Sequence, residues 1–388
     1  MELSPTQRQW LTLKMIPGVG TTLFVRLLSR FGTPGDVLAA PEHALREVVG
    51  PKLAERIHAY RDMVDVARQI ALLGEYGAHL VTMDDSAYPL LLAEIYDPPL
   101  VLFARGILAA PDAPCVAIVG TRKPTPYGVR MARTLAQELA LRGITVVSGM
   151  AEGIDTAAHE GALEAGGHTI AVLGCGVDVV YPPRNAEIMH QIIGQGAVYS
   201  CFEMGVKPSK GHFPYRNRII SGLSLGTVVV EAPVGSGSLI TARNAAEQGR
   251  EVYAVPGEAG SFNSRGPHAL LREGAKLVET AEDIIVELDL APAHRQAATP
   301  DSTRSRVELS PTPSATQPAP PAPPPARPAP NLSATEQVVL DVLHRDGSFV
   351  DEIAAAGRVS ISEALSALTM LELKGLVRQF SGKRFALR

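Results

Sequence analysis

Cysteine is scarce and unpatterned in this chain. Cys115, Cys175 and Cys201 are the three among 388 residues, and no CxxC or Cys/His spacing links them. Such a set excludes a disulfide framework and a zinc site, and reads as small buried thiols in a reducing compartment. No apolar run reaches membrane-spanning length. The first residues, Met1-Glu-Leu-Ser-Pro-Thr-Gln-Arg8, lack the basic-then-apolar layout of a signal peptide. A cytoplasmic protein with no membrane partner is expected. A strong excess of one charge is also missing. The formal net charge of −4 excludes a generally basic, nonspecific nucleic-acid binder, so any anion site must be a local cluster.

Two phosphate-binding fingerprints are absent. The strand-like run Val116–Val119 leads into Gly120-Thr-Arg-Lys-Pro-Thr-Pro-Tyr-Gly128, which lacks the G-x-G-x-x-G spacing that lets pyrophosphate approach the backbone. NAD and FAD are therefore not expected, and no other cofactor is indicated. A Walker A loop is missing too, which argues against a motor ATPase. Neither a nucleophile elbow nor a zinc-type motif accompanies Glu152, Asp155 and His159. These three read as structure rather than acid–base chemistry, with Asp155 and His159 paired at i, i+4 on a helix. No metal site and no catalytic residue is expected.

What is present divides into four zones. Residues 1–105 begin with helical patterning and two glycine turns, Leu13-Lys-Met-Ile-Pro-Gly-Val-Gly-Thr-Thr-Leu-Phe-Val-Arg-Leu-Leu28 and Leu45-Arg-Glu-Val-Val-Gly-Pro-Lys-Leu-Ala-Glu-Arg-Ile57. They look like helix-hairpin-helix units of a SAM-like domain. Such units either grip a DNA phosphate through backbone N–H groups or serve as packing elements. Short strands at Ala78–Met83 and Leu100–Ala104 close the zone. Residues 106–290 alternate apolar runs with helical stretches. The runs are Val116–Val119, Thr145–Val147, Thr169–Leu173, Ala197–Cys201, Thr227–Val230 and Val252–Val255. That alternation predicts an α/β domain with a doubly wound, Rossmann-like parallel sheet. Residues 291–331 are a Pro/Ala-rich linker, as in Pro318-Ala-Pro-Pro-Ala-Pro-Pro-Pro325. Residues 332–388 have the helix, helix, helix, hairpin outline of a winged helix, with seven Lys/Arg against seven Asp/Glu. Its cations gather late, at Arg378, Lys383, Arg384 and Arg388. The domain either touches duplex DNA through its wing or docks protein.

The richest stretch is Lys210-Gly-His-Phe-Pro-Tyr-Arg-Asn-Arg-Ile-Ile-Ser-Gly-Leu223. It sets Lys210, Phe213, Arg216, Asn217 and Arg218 within nine residues, ahead of a strand. Cations for phosphates and an aromatic face for a base are what a single-stranded nucleic-acid site needs. Phe213 sits in a glycine-flanked loop, which suits stacking better than core packing. Of Arg216 and Arg218, one is expected on phosphate and the other as a brace to a carboxylate such as Glu203 or Glu231. Gly120, Thr121, Arg122 and Lys123 end another strand, where open α/β sheets bind ligands. Gly235-Ser-Gly-Ser-Leu-Ile-Thr-Ala-Arg-Asn244 opens a helix after a further strand, with Ser238 and Arg243 as secondary contacts. Gly149, Gly174 and Gly176 read mainly as tight turns.

Together these residues resemble the DNA-processing protein A (DprA, or Smf) family. The matching segments are Ile118–Arg122, Val147–His159, Phe213–Gly222, Ser236–Ala242 and Glu273–Leu277, with Tyr88-Pro89 and Asp97–Pro99 ahead of them. The resemblance implies a non-enzymatic recombination mediator. Such a protein binds and shields incoming single-stranded DNA in natural transformation and helps load the RecA recombinase. It implies that Arg122, Lys210 and Phe213 line the DNA pocket, and that His268, Leu271 and Leu277 lie at a homodimer interface. Thr121 stands where many relatives have serine, and the long linker is not a fixed family feature. Two other readings compete. One is a Rossmann-like nucleotide phosphoribohydrolase, although Pro233-Val-Gly-Ser-Gly-Ser-Leu-Ile-Thr241 lacks that group's loop glutamate. The other is a winged-helix transcription regulator with a ligand-sensing sheet domain.

Overall fold

The structure is a computed structural model. It describes residues 3–288 and 290, then 334–343, 348–357, 359, 364, 367, 368, 370, 371, 374, 376–380 and 384–387. These fall into two compact units that divide after Ala298. The 291–331 linker and the wing residues Lys383 and Arg388 lie outside the described residues.

The first unit opens with α1 (Pro5–Met15), α2 (Thr21–Phe31), α3 (Pro34–Ala39), α4 (Glu42–Val49), α5 (Pro51–His58) and α6 (Val66–Tyr76). Helix α1 starts on a capping box, in which the Ser4 side chain accepts from Gln7 N and the Gln7 side chain accepts from Ser4 N. The turn between α1 and α2 is the expected glycine hairpin, fixed by Trp10 stacked on Phe24 at 5.1 Å between centroids. Then follow β1 (Ala78–Thr82), α7 (Leu90–Ala93), β2 (Val101–Gly106), β3 (Cys115–Val119), α8 (Pro126–Leu141), β4 (Thr145–Ser148), α9 (Ile154–Glu164), β5 (Thr169–Val172), α10 (Ala186–Gln195), β6 (Ala197–Ser200), α11 (His212–Gly222), β7 (Gly226–Val229), α12 (Gly237–Glu247), β8 (Glu251–Ala254), α13 (Arg265–Arg272), β9 (Lys276–Leu277) and α14 (Ala281–Glu287).

All nine strands of this unit form one sheet in the order β1-β2-β6-β5-β4-β3-β7-β8-β9. From β6 to β9 the pairing is parallel, and β2 adds antiparallel to β6. The two strands read from sequence as closing the first zone are therefore hydrogen-bonded into the sheet of the second. Strands β3 to β7 are buried along their whole length, as apolar runs covered on both faces must be. Side chains alternate across the pleat. Val116 and Ile118 join Leu135, Leu139 and Ala158 of α8 and α9 on one face. Ala117 and Val119 join Ile219 and Ile220 of α11 on the other. Fully burying an Ile or Val of this kind contributes about 1.5–3 kcal/mol.

The order of connections positions the site. From β3 the chain winds outward through β4, β5 and β6, then returns through α11 to place β7 on the opposite side of β3. The crevice beyond the carboxyl ends of β3 and β7 is the switch point at which such sheets bind ligands.

The second unit contains α15 (Ala334–Asp341), β10 (Ser348–Phe349), α16 (Val350–Gly357), β11 (Val377–Phe380) and β12 (Arg384–Leu387). Its antiparallel sheet runs β10-β12-β11, with Phe380 opposite Arg384 in a wing-like hairpin. Val339, Ile353, Leu368, Leu371 and Phe385 form its core.

Candidate nucleic-acid interface

Two adjoining cavities lie over the carboxyl ends of the central strands. One, of about 140 Å³, is lined by Arg122, Glu152, Cys175, Tyr181, Phe213 and Arg216 among others. The second, of about 210 Å³, is lined by Gly120, Arg122, Asp155, Phe213, Arg216, Asn217, Ser236, Gly237 and Ser238 among others. Arg122, Phe213 and Arg216 belong to both, so the two form one continuous crevice.

Phe213 stands in the first turn of α11, not in a loop. The stretch is helical because Ile219, Ile220 and Leu223 bury together against the sheet, and Pro214 falls in the first turn, where its missing N–H costs nothing. The ring is half-buried, with its centroid 5.5 Å from that of Tyr181 and 5.6 Å from the Arg122 guanidinium carbon. That distance is within cation–π reach. Arg122 is exposed, and among the described residues it forms no ion pair, which leaves its charge for a ligand. Lys210 is exposed on the turn that leads into α11 and lines neither cavity.

Arg216 is 4% exposed. One guanidinium nitrogen donates to Val172 O at the end of β5, while its Nε has no partner. Burial pushes its pKa down to about 10, opposed by the Asp155 carboxylate, so it remains a cation at neutral pH. Asp155 does not pair with His159. Its carboxylate accepts from the backbone N–H of Gly149 and Ala151 at 3.1 and 3.3 Å. Burial raises its pKa, opposed by Arg216 and by those N–H groups. His159 Nδ1 instead meets the Thr169 hydroxyl at 2.8 Å. That hydroxyl donates to Val146 O, so the ring nitrogen is the donor. Burial holds the His159 pKa down to about 3. A neutral, buried imidazole hydrogen-bonded to a core threonine is a structural group.

Two glycines read as turns are clearances instead. A Cβ on Gly174 would lie 3.0 Å from Phe213 Cδ1, and one on Gly149 would lie 2.2 Å from Arg216 Nη1. They seat the aromatic ring and the buried cation.

The remaining candidates divide. Asn217 Nδ2 donates to Gly237 O at 3.1 Å and fixes the start of α12. Ser238 is buried there, its hydroxyl 2.8 Å from that of Ser236. With Gly120, these place a helix N-terminus beside Arg216, a natural seat for an anion. Thr121 is buried at the crevice edge, its N–H on Glu231 O and its hydroxyl accepting from Lys123 N. Lys123 is exposed but lines neither cavity. Arg218 turns away. It pairs with Asp97 at 2.9 Å and lies 4.2 Å over Tyr215. The brace is thus Asp97, because Glu203 is taken by Lys14 and Glu231 by Thr125. Arg243 lies on another groove, between α12 and α13. His268 hydrogen-bonds Gly257 O at 3.0 Å, and Leu277 is half-exposed on the edge strand β9. Tyr181 and Glu152 were not expected at the site. The position of Tyr181 in the loop after β5 was the available signal. Among the described residues, no group of acidic, His or Cys side chains could hold a metal ion, and no helix is long and apolar enough to cross a membrane.

The comparisons with known proteins agree with this architecture. Residues 79–289 match the family model of the DNA recombination-mediator protein A, residues 323–383 that of the DprA winged helix domain, and residues 11–59 that of a SAM-like helix-hairpin-helix tandem. Protein Smf of Synechocystis sp. is 35% identical over 393 residues, spanning 98% of this chain and 99% of its own. The DNA processing protein DprA of Bacillus subtilis is 43% identical over 222 residues, 57% of this chain and 75% of its own. The X-ray structure of DNA processing protein A from Streptococcus pneumoniae has a TM-score of 0.66 at 36% identity, covering 74% of this chain and 99% of that one. With its sheet domain, its hairpin helices and its winged helix all matched, this chain belongs to the DNA recombination-mediator protein A family.

Proposed function

We propose that this protein binds single-stranded DNA in the switch-point crevice and acts as a recombination mediator without catalysing a covalent step. The observation that carries the reading is the Arg122–Phe213 pair beside the buried Arg216. A half-exposed ring accepts a base by stacking, and the unpaired Arg122 with a helix N-terminus accepts the flanking phosphates. A duplex hides its base faces, so this arrangement favours an unpaired strand. Lys210, on the exposed turn ahead of Phe213, extends the cationic path outside the cavities.

The family resemblance supports two further steps. The bound strand is shielded and handed to the RecA recombinase, in natural transformation or in repair. Two copies act together through His268, Leu271 and Leu277, so that two crevices on one strand gain from effective concentration. The half-exposed Leu277 on an edge strand suits such a face. The winged helix adds either a contact to duplex DNA or a protein-docking surface.

The phosphoribohydrolase reading would need an acid in the loop that leads into α12, where Ser236 and Ser238 stand. Competition binding tests the choice. The protein should retain a labelled single strand at moderate salt against excess duplex, and should release no free base from AMP. Preference for the duplex, or release of base, would contradict the reading.

A further inference from the structure

The loop after β4 is held in an uncommon backbone conformation. Met150 has φ of 58°, a left-handed value that side-chain-bearing residues adopt rarely and mostly where surrounding structure imposes it. Three contacts impose it here. Asp155 accepts from the N–H groups on either side of Met150, those of Gly149 and Ala151. Asn185 Nδ2 donates to Met150 O at 2.9 Å. The buried Asp155 and Asn185 thus clamp the loop from two directions.

The clamped loop presents Glu152. Its side chain is exposed and lines the same cavity as Arg122, Tyr181 and Phe213. Among the described residues it forms no hydrogen bond and no ion pair. Arg122 shares that cavity wall, yet the two opposite charges do not close on each other; the guanidinium lies over Phe213 instead. A carboxylate is an acceptor only, so against a phosphate backbone it is adverse. It becomes favourable when it meets N–H donors, and in DNA those are on the base edges.

We propose that Glu152 reads the edge of the base stacked on Phe213 and favours guanine. This rests on the reading of the crevice as a single-strand site. Guanine alone carries two adjacent donors on its pairing edge, the ring N1–H and the exocyclic amine, and these match two carboxylate oxygens. Thymine offers one N–H flanked by two carbonyls that repel a carboxylate. Adenine and cytosine each set one amine beside an acceptor nitrogen. Glu152 is thus a specificity residue that adds a modest base preference to binding that is otherwise independent of sequence.

The test is fluorescence anisotropy on the full chain with three labelled strands: oligo-dT, the same strand with isolated dG substitutions, and one with deoxyinosine at those positions, which lacks the exocyclic amine. The wild type should bind the dG strand about five- to tenfold tighter than oligo-dT, with deoxyinosine between them. Glu152→Gln and Glu152→Ala should bind all three within about twofold of one another. Equal wild-type affinities, or a uniform gain for Glu152→Gln on every strand, would show a carboxylate that only repels phosphate and would overturn the assignment. Phe213→Ala separates the two levels. If it weakens every strand while the dG preference is missing, Glu152 alone is misassigned. If it weakens none, the crevice itself is misread, and the proposal fails with it.

Discussion

The Arg122 guanidinium carbon lies 5.6 Å from the centroid of the Phe213 ring, although 91 positions of chain separate the loop after β3 from the first turn of α11. Charge and plane both matter in this pair. Lysine keeps the charge but cannot stack its head group flat on a ring or bind phosphate with two parallel bonds. Arg122→Lys should therefore weaken single-strand binding by about 0.5–1 kcal/mol with little change in salt slope. Anisotropy titrations at several salt concentrations check both parts.

The seat of Phe213 depends on a missing side chain. Gly174→Ala would put a methyl group 3.0 Å from the ring, inside the optimal separation of packed carbon atoms. The ring must give way by a few tenths of an ångström. Single-strand affinity should fall severalfold while the melting temperature moves little. An unchanged affinity would mean that the ring position is not critical.

Arg218 was a DNA candidate from sequence, but its side chain is 10% exposed and bound to Asp97. Removing Asp97 leaves a mostly buried cation short of its partner. Asp97→Ala should cost about 1.5–3 kcal/mol of stability and leave the salt slope of DNA binding unchanged. Denaturant unfolding and a salt series distinguish this from a lost phosphate contact.

His159 gives a pH signature. Its pKa falls from the ordinary 6.5 to about 3 on folding, so below pH 6.5 the unfolded chain binds the extra proton and stability drops as pH falls. Between pH 7.5 and 5.5 the contribution is about 1.4 kcal/mol lost. Denaturation midpoints for the wild type should follow this slope, and His159→Gln should flatten it. A wild-type profile flat over this range would contradict the buried neutral imidazole.

In the proposed dimer, the half-exposed Leu277 on edge strand β9 would lie at the interface. Leu277→Glu should shift the protein toward monomer in sedimentation analysis. It should also weaken binding to long strands more than to short ones, since only long strands span two crevices.

Much of this was legible in the sequence because single residues encode it. The six apolar runs of the central domain became β3 to β8 within a residue or two, since a sheet buried on both faces demands unbroken apolar stretches. Arg122 and Phe213 stood out as a cation and an aromatic at chain positions that a packed core does not use. Other features depend on pairs of distant residues. Nothing near Arg218 marks Asp97 as its partner, 121 positions away. The role of Gly174 is set by a ring that arrives 39 residues later. Tyr181 and Glu152 carry no local pattern; only the winding of the sheet brings their loops to one cavity. Phe213 reads as a loop residue in the sequence because Gly211 and Pro214 flank it, whereas the burial of Ile219 and Ile220 carries the helix back to His212.

The proposed site joins base stacking to phosphate capture in one crevice. The most direct measurement is anisotropy of labelled oligo-dT across a salt series with the wild type, Arg122→Ala, Lys210→Ala and Phe213→Ala. Phe213→Ala should lose about 1–3 kcal/mol of binding at unchanged salt slope. Each charge variant should bind more weakly, with a slope shallower by about 0.7 per lost phosphate contact. Equal binding by all four proteins would contradict the proposed site and would move it to the hairpin helices or the winged helix.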